Sequence, residues 1–424
     1  MALTSEASDR SEIAAVAPSR RLGYRFANLW AGFSLASAGD GFAYGAVPLL
    51  ALVVDPRPLA VSAVVAADGL PWLLVALPAG AFADRFPRHR VMSLANLFRA
   101  LVAVMLGALV VTRSLDLVIL LVAVLANAAG RAVYYSALQA TVPDLVGTDA
   151  LNRANGRLSG TEAAAEHLGG PVVGTAVFAI ARAVPFFGEG AVFGLSTLPL
   201  LGARARSSTP PRARGGLLEG VKLLARDRRL RVLMTLVAGL AGLQGVVAGV
   251  LVLVATRDWG VHESAYGLFV ATAAIGNLPG ALLADRIALW FGSVRALLGA
   301  AFVAGICYLV MASAHSWLLA GVAFAVAGFA IGVGIVVSNT LRQRLAPPEL
   351  MGRVGAAWRG IAWGAAPLGS LLGGGIALVG ALRLPLIVAG IAQCALALVL
   401  APMLMRALGA ERRARHRKRR GADR

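Results

Sequence analysis

Apolar residues dominate this chain in runs of about 19–29 positions, and the breaks between runs are short clusters of Arg, Pro, Asp and Gly. A helix needs about 20 apolar residues to cross the hydrocarbon core of a bilayer. Runs of that length predict membrane-spanning helices at 26–54, 58–82, 91–112, 117–141, 158–183, 184–203, 231–255, 265–284, 296–314, 317–341, 356–380 and 383–405, twelve in all. Three polar stretches lie outside them: a tail at 1–25, a linker at 204–230 and a tail at 406–424. The linker separates a first half, 26–203, from a second half, 231–405, with six spans in each. It opens as a Pro/Ser/Arg segment, and from Gly216 its pattern predicts a short basic amphipathic helix on the membrane surface. Residues 1–25 lack the apolar core and cleavage site of a removable signal peptide, so span 1 is expected to direct insertion.

Composition agrees with this pattern. Hydrophobic residues make up 58% of the chain and charged residues 14%, against about 25% charged in soluble domains. A 424-residue chain with so few charges must turn much of its surface to lipid. Small residues let membrane helices approach closely, and Gly369, Gly373, Gly374 and Gly375 are expected to form one packing seam. A net charge of +19 would suit nucleic acid if it were gathered on one soluble face, but it is partitioned by loop. With the N-terminus inside, 32 of the 40 Arg and Lys residues lie on the side of the two tails. Only Arg57, Arg113, Arg182, Arg257 and Arg383 lie in the opposite loops. This positive-inside pattern predicts a multi-pass protein of the cell membrane with both termini cytoplasmic, and no nucleic-acid partner. The last basic run, Glu411 to Arg420, suits contact with anionic lipid or disorder. Cys307 and Cys394 both fall inside spans and provide no disulfide framework or metal cluster.

The two halves share a weak repeat. Leu77-Pro78, four residues, then Ala83-Asp84-Arg85 recurs as Leu278-Pro279, four residues, then Ala284-Asp285-Arg286, an offset of 201. Gly156-Arg157 stands ahead of Pro171 as Gly352-Arg353 stands ahead of Pro367, an offset of 196. Both matches fall at equivalent points of the topology, which predicts a duplicated six-helix unit: an all-α membrane protein of two pseudo-symmetric bundles. Such repeats are typical of carriers whose substrate site lies between the halves. The only lysines, Lys222 and Lys418, fit no phosphate-binding loop, so the energy source is expected to be an ion gradient.

The segment Gly80-Ala-Phe-Ala-Asp84-Arg85-Phe-Pro-Arg88-His-Arg90 resembles the loop 2–3 signature of the major facilitator superfamily, Gly-x-x-x-Asp-Arg-x-Gly-Arg-Arg/Lys. The stretches 39–52, 70–92 and 154–174 are similar to its drug and secondary-metabolite exporters, in the branch of transmembrane secretion effectors and enterobactin-type exporters. The similarity runs over about 23–375. Pro87 departs from the signature, standing where the family has Gly or a polar residue. In span 5, Gly169, Gly170, Pro171 and Gly174 match the antiporter motif, and Thr175 replaces a second terminal Gly. The resemblance implies the major facilitator fold and export. It also implies a cytoplasmic gate made by Asp84, Arg85, Arg88 and Arg90, with Asp285 and Arg286 as the weaker copy.

Charges inside a bilayer are costly and usually functional. Asp40 in span 1 and Arg131 in span 4 both lie near the midplane, and in this family both spans line the central cavity. Asp40 is expected to take up and release a proton, with Arg131 tuning it or touching substrate. In span 5, Glu162 and Glu166 share a helix face, whereas His167 points away from Glu166. Glu166 is the deeper candidate for a proton or cation, and Glu162 is expected near the headgroups beside Arg157. Asp68 and Arg99 are expected to pair with each other or face water. Tyr44, Tyr134 and Gln244 complete the candidate substrate cavity, whose apolar walls also draw on Phe33, Trp72, Tyr135, Trp358 and Trp363.

These residues predict a proton-coupled exporter of a drug-like or secondary-metabolite molecule. Lipid, a small organic substrate and protons are its expected partners, with no cofactor and no metal, and it is expected to act as a monomer. An importer or uniporter of a small nutrient would share the fold. A non-transporting receptor or secretion accessory is disfavoured by the intramembrane charges. The scattered histidines and the lack of a nucleophile motif argue against an enzyme.

Overall fold

A computed structural model of the protein describes residues 22–74, 86–146, 150–203, 217–347 and 350–422. The first six-helix set is α1 (Tyr24–Val54), α2 (Pro58–Leu74), α3 (Arg88–Val111), α4 (Leu117–Leu145), α5 (Leu151–Ile180) and α6 (Val184–Gly202). The linker helix α7 (Leu217–Arg226) follows. The second set is α8 (Arg228–Arg257), α9 (Glu263–Phe291), α10 (Ser293–Ser313), α11 (Trp317–Leu345), α12 (Met351–Val379) and α13 (Leu384–Ala422). Eleven of these helices are long and apolar enough to cross a membrane. The described part of α2 is shorter, and the predicted end of span 2 lies outside the described residues, as do Asp84 and Arg85.

Polar residues punctuate the apolar runs. Asp116 starts α4 by accepting from the Ile119 N–H at 2.7 Å, and Asp227 starts α8 through Arg229 and Leu230. Gly292 turns the chain from α9 into α10 at φ +85°, a conformation that costs a side-chain-bearing residue. Several helices outrun their apolar stretches. The fifth begins at Leu151 rather than at 158, because the polar turn 151–157 continues the helix beyond the hydrocarbon zone. The final helix runs on through the basic tail to Ala422, where the sequence suggested contact with anionic lipid or disorder. The linker helix forms as expected and seats Leu224 against the second half.

Packing repeats between the halves. In the first, α1 packs on α5 and α6, α2 on α4, and α3 on α4 and α6. In the second, α8 packs on α12 and α13, α9 on α11, and α10 on α11 and α13. The same pairing in both sets is the structural form of the sequence repeat. Across the halves, α2 meets α12 and α5 meets α9. The glycine seam on α12 serves two of these contacts. Gly369 and Gly373 face the α8 backbone, and Gly374 faces Ser62 and Pro58 of α2. Gly375 has open space beside it.

The apolar core shows how the halves are joined. One cluster draws from both, including Leu50, Val61 and Phe186 with Val250, Phe269 and Ala377. It lies at the end that carries the arginine-poor loops. Toward the other end the clusters separate: Phe26, Met92, Leu138 and Leu200 belong to the first half, and Leu233, Leu297, Leu341 and Leu404 to the second. Hydrogen bonds reinforce the shared end. Ser370 Oγ donates to the Ser62 carbonyl at 2.8 Å, and Arg257 Nη2 to the Pro56 carbonyl at 3.0 Å. Thr175 accepts from the Gly267 N–H at 3.1 Å.

Candidate functional site

The site is assembled where α1 and α5 cross backbone to backbone. A Cβ on Gly41 would lie 2.7 Å from the Gly170 Cα, and one on Gly174 would lie 2.7 Å from the Phe42 carbonyl oxygen. The glycines flanking Pro171 therefore let α5 press against α1 beside Asp40. Just before this crossing, residues Ala163–Gly169 form a wide π-helical turn. Such turns often mark functional positions, because the extra residue redirects side chains. Here it gathers Glu162, Glu166 and His167, whose donor atoms lie within 4.8 Å of one another. His167 thus joins Glu166 rather than pointing away from it, as a regular helix required. Glu166 already bonds Arg131, and that cation opposes an added metal ion.

Asp40 lies at the centre, 6% exposed. Its main partner is Arg99 of α3, whose Nη2 donates to Asp40 Oδ1. Arg131 of α4 approaches the same oxygen, with Nε at 3.7 Å, and donates through Nη2 to Glu166 Oε1. Arg131 thus bridges two carboxylates, and Arg99 on the neighbouring helix holds one of them. Arg99 also stacks on the Phe193 ring, 3.9 Å from its centroid, and donates through Nε to Asn127 Oδ1 at 2.7 Å. Asn127 in turn donates to Glu189 Oε1 of α6 at 2.7 Å.

This geometry corrects several sequence expectations. Arg99 pairs with Asp40, not with Asp68, and at 1% exposure it is a core residue rather than a cavity wall. The helical phase of α3, which a hydropathy run does not reveal, turns it inward. Tyr134, Phe33 and Trp358 are likewise buried in the core, and nothing is described for the side chains of Trp72 and Trp363. Glu162 accepts from the Tyr135 hydroxyl at 3.3 Å, whereas Arg157 stacks on Trp30. Glu189 and Asn127 escaped the sequence reading altogether. Glu189 is the only acid in its span, but it stands six residues from the helix start, where interfacial charges are common.

The remaining candidates lie outside the buried network or at its edge. Tyr44 is 45% exposed, packs edge-on against His167 at 5.4 Å, and interacts electrostatically with Tyr266 of the second half. Asp68 is exposed yet within electrostatic reach of Arg131, Asp40 and Arg99. Gln244 is half-buried on α8. Of the gate residues, Arg88 binds Asp144 and the Ala140 carbonyl of α4, within its own half, and Arg90, Asp285 and Arg286 are exposed.

A duplicated bundle of apolar, span-length helices with charged side chains buried among them is the architecture of a polytopic membrane transporter rather than an enzyme. The sequence profile of the Major Facilitator Superfamily matches residues 29–368, and the chain belongs to that superfamily. It is 28% identical over 356 residues to the multidrug efflux pump Tap of Mycolicibacterium fortuitum, spanning 81% of this chain and 86% of that protein. Among solved structures, a variant of the nucleoside transporter NupG superposes with a TM-score of 0.73 at 12% identity, over 90% of this chain and 99% of that one. An inward-facing, unoccupied bacterial homologue of the human lysosomal transporter Spinster gives 0.70 at 15% identity, over 92% and 99%. At these identities the structural likeness is one of fold.

Proposed function

We propose that the protein exports amphiphilic, cationic organic molecules in exchange for protons, by alternating access. The observation that carries this reading is the ion-pair network around Asp40, set directly beside the space between the halves. Near that space stand the acids Asp40, Glu162, Glu166 and Asp68 and two arginines, Arg99 and Arg131, so the wall favours a positive guest. Tyr44 and Tyr135 supply aromatic faces that suit an organic cation. Similarity to multidrug efflux pumps supports export and a drug-like substrate.

The arginine-poor loops give the shared end an outward orientation under the positive-inside rule, so the conformation described here is open toward the cytoplasm. In this reading a proton from outside neutralises Asp40 and weakens its hold on Arg99. Release inside restores the pair. Asp84, Arg85, Arg88, Arg90, Asp285 and Arg286 form the cytoplasmic gate that closes in the opposite state. Transport in proteoliposomes with an imposed pH gradient tests the scheme, using a fluorescent organic cation. Wild type is expected to accumulate the dye against its gradient, and Asp40→Asn to equilibrate it only. Equal accumulation by both variants would remove Asp40 from the coupling role.

A further inference from the structure

Glu189 has no part in the scheme above, and its surroundings are unusual. It is 1% exposed, and its bond to Asn127 is the end of a chain with fixed direction. Arginine can only donate, so Asn127 must turn its carbonyl to Arg99 and its amide to Glu189. Glu189 Oε1 is therefore an acceptor whether the carboxyl is charged or neutral. The charged and titratable groups around it are Arg99 on α3, Asp40 on α1 and Asp68 on α2. Two of these three repel a second negative charge.

Charge balance decides the rest. Three carboxyls of the network, those of Asp40, Glu166 and Glu189, are buried, and two guanidiniums serve them: the buried Arg99 and the half-buried Arg131. Asp40 is approached by both arginines and Glu166 is bonded by Arg131. Glu189 alone of the three has an amide and no guanidinium as its bonded partner. An ionised carboxylate buried without a cation is strongly disfavoured.

We propose that Glu189 holds the one proton this buried network needs for neutrality, and that it is a positioning residue keeping Arg99 committed to Asp40. While Glu189 is neutral, Oε1 accepts from Asn127 and the other oxygen carries the hydrogen. Arg99 then has one charged partner, Asp40. Once a proton from outside neutralises Asp40, Arg99 is left without a charged partner, and Glu189 ionises by releasing its own proton to water, so the network stays neutral. The role in transport rests on the proton-coupled reading, but the seat of the proton does not.

Infrared spectroscopy of the purified protein in lipid nanodiscs at neutral pH, without substrate or gradient, tests the seat independently of transport. Wild type is expected to show the carbonyl-stretch band of a protonated, buried carboxylic acid. Glu189→Gln should remove it and Glu189→Asp should shift it, so the assignment survives if the glutamine variant folds poorly. Asp40→Asn should also abolish the band although Glu189 is intact, because Arg99 then serves Glu189. A wild-type spectrum without the band, or a band unmoved by either substitution of Glu189, would overturn the proposal. A band that persists in Asp40→Asn would overturn the link between the two carboxyls.

Discussion

Arg99 is the residue on which most of the site converges. It bonds Asp40, props Asn127 and lies on Phe193, all out of solvent. Breaking a buried ion pair from one side leaves the other charge uncompensated, at a cost of about 3–5 kcal/mol. Arg99→Leu is therefore expected to lower stability by that order, measured as thermal unfolding in detergent. Arg131→Leu should cost less, because the Arg131 side chain is itself 17% exposed and its pair with Glu166 is less desolvated than that of Arg99 with Asp40. A ranking with Arg131 the costlier would show that Arg99 is not the keystone. Asp40, Arg131 and Glu166 were legible in the sequence, since a charge in an apolar run is conspicuous. Their pairing was not. Hydropathy ignores helical phase, so it leaves Arg99 to pair with Asp68 or face water and gives no sign of Glu189.

Between α1 and α5, two local features position the carboxylates. The first is the glycine crossing. Gly41→Val would push a side chain into the Gly170 backbone, where neither helix has an atom that can yield. Overpacking of this kind costs about 1–3 kcal/mol or more. Stability should fall, and the loss of transport should exceed that caused by Gly375→Val, which meets open space. The second feature is the π-helical turn. Deleting Ala164 should restore α-helical phase and turn Glu162, with the helix before it, out of its present facing relative to the Gly170–Gly174 crossing. Transport is expected to fall while helix content and expression hold, checked by circular dichroism alongside dye efflux. The Gly-Gly-Pro motif was visible in the sequence, but the inserted residue was not. A π-turn differs from a helix by one hydrogen-bond register and leaves no compositional mark.

For the whole molecule, the shared core at one end and separate cores at the other define a single conformational state. If transport requires that end to open, joining it should stop the cycle. Cysteines placed at Pro56 and Arg257, exposed positions hydrogen-bonded across the two halves at this end, are expected to crosslink with a short bifunctional reagent. Dye efflux should then stop in proportion to the crosslink, and a cleavable reagent should restore it on reduction. Full transport by the crosslinked protein would show that this end stays closed throughout.

Hydropathy, charge partition and the repeat determined by themselves that this is a twelve-span membrane protein built from two related halves. These are one-dimensional properties: the bilayer acts on each run of apolar residues locally, and duplication leaves matching motifs. The partner of each buried charge was a tertiary decision. Bonded partners stand up to 62 residues apart along the Asp40–Arg99–Asn127–Glu189 chain. Which face each helix presents depends on glycine crossings and one π-turn, and so does the number of guanidiniums available to each carboxyl. Only the packed molecule reveals that three buried acids share two arginines.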